Sequence, residues 1–131
     1  MPSVNSSAEG KVYPGYPFEV SADRVAAFRG VFGESRDIVP PTFLTAAEFT
    51  SLPHIVADPE LGLDFARVLH TEQEYEWSRP LAPGETLSAR ARIAEARIRA
   101  GMGLMRIETV LRDDVGTVAL CRATLLERRA Q

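Results

Sequence analysis

The chain is poor in the residues that most often carry metal and redox chemistry. Among its 131 residues there is a single cysteine, Cys121, and only two histidines. One thiol excludes an internal disulfide framework and a cysteine-based zinc site. Cys121 lies in an apolar alternating run, which marks it as a small buried hydrophobe. No apolar run approaches the roughly 20 residues of a membrane-spanning helix. The opening MPSVNSSAEG has no apolar centre, so no signal peptide is expected and a cytoplasmic protein is the default. The formal net charge is −3, and the basic residues, nearly all arginine, are interleaved with acids. Without a basic stripe, neither nucleic acid nor an anionic membrane is the expected partner. There is also no phosphate-cradling glycine loop and no metal-ligand constellation, so no metal and no cofactor are expected.

What the chain does have is an ordinary globular balance, 45% hydrophobic and 25% charged. Its length suits one domain that buries about two-thirds of its unfolded surface. Residues 1–15 are expected to be a flexible N-terminus and residues 16–131 a single domain. The stretch Val39–Phe49, VPPTFLTAAEF, organises the rest. Its prolines end what precedes it, and Thr42 is placed to cap a helix that is apolar nearly all round. A helix with so little polar surface belongs inside something. Upstream, Ser21 and Gly33 bracket a short amphipathic helix with Asp23 in its first turn and Val25, Ala26, Phe28, Val31 and Phe32 at helical spacing.

From Phe65 onward the period changes to two. Leu69, Thr71, Gln73, Tyr75 and Trp77 are expected on one strand face, with Val68, His70, Glu72, Glu74 and Glu76 on the other. A second strand runs through Leu87, Ala89, Ala91 and Ile93, with a phase slip near Ala94–Ala96 that predicts a bulge. A glycine hairpin at Ala100–Gly103 leads to a third strand. A turn at Asp113–Gly116 leads to a fourth, Thr117–Glu127. Its Ala119, Cys121 and Ala123 form a face small enough for a helix to approach. The tail Arg128–Gln131 is charged and expected to fray. The fold class is α+β, one buried helix against an antiparallel sheet.

Pro40-Pro41-Thr42-Phe43 at the head of the buried helix, followed by His70, Gln73, Tyr75, Arg79-Pro80-Leu81, Gly84-Glu85 and Leu87, resembles the MaoC-like hot-dog family, in its N-terminal, HadA-like dehydratase branch. The resemblance runs roughly from Phe18 to Arg128. It implies a curved sheet wrapped around one helix, side-by-side pairing of two such units, and binding of acyl thioesters of coenzyme A or acyl-carrier protein. It also implies substrate contacts at Pro41, Thr42, Phe43, Arg79 and Pro80. Catalytic members add or remove water at an (R)-3-hydroxyacyl chain.

Those members carry an Asp and a His in a G-D-x-N-P-x-H stretch before the central helix, because the reaction needs an acid/base pair. Here the connector is only Gly33–Pro40 and has no histidine. The weak catalytic candidates are Asp37, His70 and Glu72. Asp37 is a possible relic acid, and His70 is expected on the same strand face as Glu72. His54, beside Pro53, reads as a surface or loop residue. Three readings follow. The first is a dehydratase or hydratase subunit without its own acid/base pair, completed by a catalytic MaoC-like partner in a heterodimer. The second is a non-enzymatic acyl-binding homodimer. The third is a thioesterase in which a carboxylate such as Glu48, unusual within an apolar helix, activates water.

Overall fold

The structure is a computed structural model and describes residues 3–128. Five strands form one antiparallel sheet: β1 Tyr16–Glu19, β2 Val68–Trp77, β3 Thr86–Arg99, β4 Met102–Arg112 and β5 Thr117–Glu127. They are ordered β1-β3-β4-β5-β2. Helix α1 (Ala22–Phe32) begins as expected. The Ser21 hydroxyl accepts the Arg24 amide, and Gly33 closes the helix at φ 68°, in the left-handed region that favours glycine. Only part of its apolar set turns inward. Val25 is buried, whereas Val31 and Phe32 are exposed.

The central helix is shorter and more broken than the sequence implies. A 3₁₀ turn (Pro41–Leu44) leads into α2 (Thr45–Glu48), and α3 (Leu52–Val56) follows after three residues. The N-cap is Pro40, with the Phe43 amide donating to its carbonyl at 2.9 Å, so Thr42 is not the cap. Two groups interrupt the helix. The Thr50 hydroxyl bonds back to the Ala47 carbonyl at 2.8 Å, and Pro53 has no N–H to continue the ladder. The amides of Thr50 and Ser51 reach carbonyls three residues back, which tightens the turn.

The 3₁₀ turn and α2 press Phe43, Leu44 and Ala47 against Ala119 and Cys121 of β5. The small side chains of β5 permit this approach, and the Cys121 thiol lies 3.9 Å from the Leu44 carbonyl oxygen. Burial pushes that thiol far above its usual range. Phe43 contacts Phe28 edge-to-face at 5.5 Å and Phe18 at 6.2 Å. A second cluster gathers Ile55, Leu61, Ile93, Met105 and Leu125.

That second cluster also contains Val4, Ala8 and Tyr13, so the N-terminal stretch is not the flexible tail expected of it. Glu127 is the anchor. Its carboxylate accepts the Ser3, Val4 and Asp64 amides and the Ser3 hydroxyl, at 2.5, 3.1, 2.6 and 2.8 Å. Gly103 leaves room for Val4, since a Cβ there would sit 2.5 Å from a Val4 methyl. Met1 and Pro2, and residues 129–131 of the expected frayed tail, lie outside the described residues.

The phase slip in β3 is a bulge between Ile93 and Glu95. A second bulge, between His70 and Glu72 in β2, has no such signature in the sequence. The Ala100-Gly101 hairpin takes both residues to positive φ, 51° and 75°, as a tight two-residue turn requires.

Candidate active site

Two apolar-walled cavities beside the broken helix bear on the site. The smaller, about 140 Å³, lies at its N-terminal end and is lined by Ile38, Pro40, Pro41, Leu44, Trp77, Arg79 and Pro80 among others. Arg79 is held there by a fork to Glu85 (3.0 and 2.7 Å) and by a third bond to Asp113 (3.2 Å). Arg79 in turn holds the Glu85 carboxyl below its usual range, against the opposing effect of burial. Asp113 folds its own turn, accepting the Val115 and Gly116 amides at 2.8 and 2.9 Å. Of the residues expected to contact substrate, Pro41, Arg79 and Pro80 thus come together. Thr42 is exposed and lines neither cavity, and Phe43 lines neither because its ring is a core anchor, 2% exposed.

The larger cavity, about 210 Å³, lies between α2/α3 and the sheet. Phe49, Leu52, Ile55, Phe65, Val68, Ile107, Ala123 and Leu125 give it an apolar wall, and Thr45, Glu48, His70, Gln73 and Thr109 add polar groups. Glu48 is in the last turn of α2, on the face toward the sheet. Gln73 Nε2 donates to its Oε2 at 3.1 Å, while its buried Oε1 has no partner. Burial pushes the Glu48 carboxyl up to about 7, and the Gln73 bond offsets only part of that. Beside it, Thr45 Oγ1 and the Tyr75 hydroxyl make a very short hydrogen bond.

The weak catalytic candidates are not assembled. Asp37 is fully exposed on the connector and pairs with Arg29 at 3.3 Å. The β2 bulge turns Val68 and His70 into the cavity and leaves Glu72, Glu74 and Glu76 on the outer face, which corrects the expected pairing of His70 with Glu72. His70 sits opposite buried Leu125, and its Nε2 donates to the Glu72 backbone carbonyl at 3.0 Å. The Glu72 carboxylate accepts instead from Thr124 on the outer face, at 3.4 Å. His54 stacks on Tyr16, centroids 4.4 Å apart, and lines neither cavity. The carboxylate that shares the lining of this cavity with His70 is Glu48. Its one signal in the sequence is an acid within an apolar helix.

A five-stranded antiparallel sheet with a helix pressed on one face, and an apolar cavity beside that helix, defines a hot-dog fold. The match to the FAS1-like dehydratase domain region spans residues 13–120, and the chain belongs to that family. It is 27% identical to a UPF0336 protein of Streptomyces griseus over 145 residues, covering 98% of this chain and 97% of that one. In fold it is similar to a MaoC-like dehydratase, with TM-score 0.79 and 20% identity over 95% of this chain and 43% of that one. It is also similar to the C-terminally truncated HadBC (3R-hydroxyacyl-ACP dehydratase) complex of Mycobacterium tuberculosis. That match has TM-score 0.73 and 19% identity over 91% of this chain and 96% of that one. Among the described residues no helix is long and apolar enough to cross a membrane.

Proposed function

We propose that this chain is the acyl-binding subunit of an (R)-3-hydroxyacyl thioester dehydratase or hydratase, and that a partner subunit supplies the acid/base pair. One observation carries the reading. The chain has the family's fold and an apolar cavity beside the helix, yet its Gly33–Pro40 connector holds no histidine and its only acid, apart from Glu34, is the exposed Asp37. Without a positioned acid and base, dehydration loses a contribution of about 10²–10⁴-fold from each such group. The HadBC structure of similar fold is a 3R-hydroxyacyl-ACP dehydratase complex, which supports a shared site. Among the described residues, the outer strand β2 has no strand on its far side, and it exposes Leu69 and Trp77 (48% and 49%), surface that a homodimer or heterodimer partner would cover. In this reading Pro41, Arg79 and Pro80 contact substrate through the smaller cavity, with Thr42 next in sequence to Pro41 and Phe43 in the core as support.

The test is turnover by the purified chain. Alone, it should hydrate a 2-enoyl-CoA near the background rate, and a MaoC-like partner carrying G-D-x-N-P-x-H should restore activity. Light scattering should show at least a dimer of the 14.4 kDa chain, alone or with that partner. Rapid hydration by the isolated chain overturns the reading. The second reading, thioester hydrolysis, is favoured by Glu48, a carboxyl with one unpartnered oxygen in the larger cavity. Thiol release from acyl-CoA that is lost in Glu48→Gln would establish it.

A further inference from the structure

The larger cavity is apolar enough for a hydrocarbon, but it is not finished for one. A plain acyl chain in it would cover Glu48 Oε1 with methylenes, and that oxygen has no partner within the protein. Leaving a buried polar atom unsatisfied is costly, while giving it a hydrogen bond recovers the loss. Three other polar atoms of the wall are already engaged. Gln73 Nε2 donates to Glu48 Oε2, Thr45 is bonded to Tyr75, and His70 Nε2 donates to the Glu72 carbonyl. Glu48 Oε1 is a buried oxygen of a wall residue left without a hydrogen bond, in a side chain set among Phe49, Leu52, Ile55 and Leu125.

The wall also shows which end of a thioester fits. It contains an acid and no arginine or lysine, so the phosphates of a carrier are disfavoured there and the acyl tail is accepted.

We propose that this cavity selects acyl tails bearing a hydroxyl or ketone remote from the thioester, held by Glu48 Oε1, over unsubstituted tails. The inference rests on the acyl-binding reading and adds a substrate class to it. A protonated Glu48 donates to a ketone or hydroxyl oxygen, and an ionised one accepts from a hydroxyl. A hydroxyl therefore serves in either state.

Calorimetric titration tests this with the purified chain in whatever assembly it forms. The probes are dodecanoyl-CoA and its monohydroxy isomers with the hydroxyl at each carbon from the fifth onward. At least one isomer should bind about 10-fold tighter than dodecanoyl-CoA, the scale of one hydrogen bond to a buried carboxyl. In Glu48→Leu that preference should vanish, with dodecanoyl-CoA bound as well as before or better. Glu48→Gln, close in shape, controls for folding and should keep part of the preference through its amide. If dodecanoyl-CoA binds and no isomer binds tighter, the selectivity is refuted and the acyl-binding reading stands. If no thioester binds at all, the acyl-binding reading fails and this inference with it. A preference that survives Glu48→Leu refutes the role of Glu48.

Discussion

His70 and Glu72 are two residues apart on one strand, yet they face opposite sides of the sheet. The bulge between them places His70 opposite buried Leu125 and Glu72 opposite Thr124. An undistorted strand would have put the imidazole and the carboxylate on one face, as a workable acid/base pair. Here the only bond between the two residues runs from the ring to the Glu72 backbone carbonyl. A double-mutant cycle of His70→Ala and Glu72→Ala, read by urea unfolding, should therefore give a side-chain coupling below about 0.5 kcal/mol. A coupling above about 1 kcal/mol would show that the side chains interact.

Glu48 predicts a pH signature. Its folded value is raised from 4.5 to about 7, so folding takes up a proton between those limits. A group raised in the folded state contributes stability below its unfolded value and loses it as pH rises to the folded one. Relative to Glu48→Gln, the wild type should lose roughly 3 kcal/mol between about pH 4.5 and 7 and change little above that. Parallel stability curves for the two proteins would refute the burial assigned to this carboxyl.

Phe43 is the anchor of the broken helix, packed between Phe18 and Phe28. Phe43→Ala should cost roughly 3–5 kcal/mol, as deletion of a large buried ring does. A loss below about 1 kcal/mol would remove it from the core.

The N-terminal segment should be released by acid or by mutation at its anchor. Burial works against the Glu127 charge, but the hydrogen bonds from Asp64, Ser3 and Val4 outweigh it and hold the carboxyl below its usual range. Stability from this group is therefore present above the ordinary glutamate value and is lost as pH falls through the lowered one. In Glu127→Ala, or in Gly103→Ala, where the new methyl meets Val4, the Asn5 and Ala8 amides should lose protection from hydrogen exchange. Unchanged protection in both variants would contradict the packing.

How far the sequence carried the fold can be seen at individual residues. Ser21, Gly33 and the Asp113–Gly116 turn act through local chemistry and sit where that chemistry puts them. The small side chains Ala119 and Cys121 marked the sheet face that meets the helix, because a tight approach admits little else. The β2 bulge was not legible. Thr71 carries no glycine or proline to announce it, and one extra residue exchanged the faces of Leu69 and His70. The helix break was half legible in Pro53, while the Thr50 back-bond depends on a rotamer that spacing does not reveal. The first fifteen residues look like a tail by composition. Their partner, Glu127, lies at the far end of the chain, and only tertiary contact pairs them. Glu48 could be suspected from the sequence, but its unpartnered oxygen needed the cavity wall to be seen.

The bond from Ser3 to Glu127 spans 124 positions of the chain, which fixes an order of events during synthesis. The segment from Ser3 to Tyr13 leaves the ribosome long before β5, which carries its anchor Glu127. Until that strand has emerged, Val4, Ala8 and Tyr13 have no complete surface to cover, so the nascent chain must keep an apolar segment waiting. Closure of this longest loop is then a late step of folding. Chains that stall or end before Glu127 would hold this N-terminal segment undocked, open to chaperones and proteases.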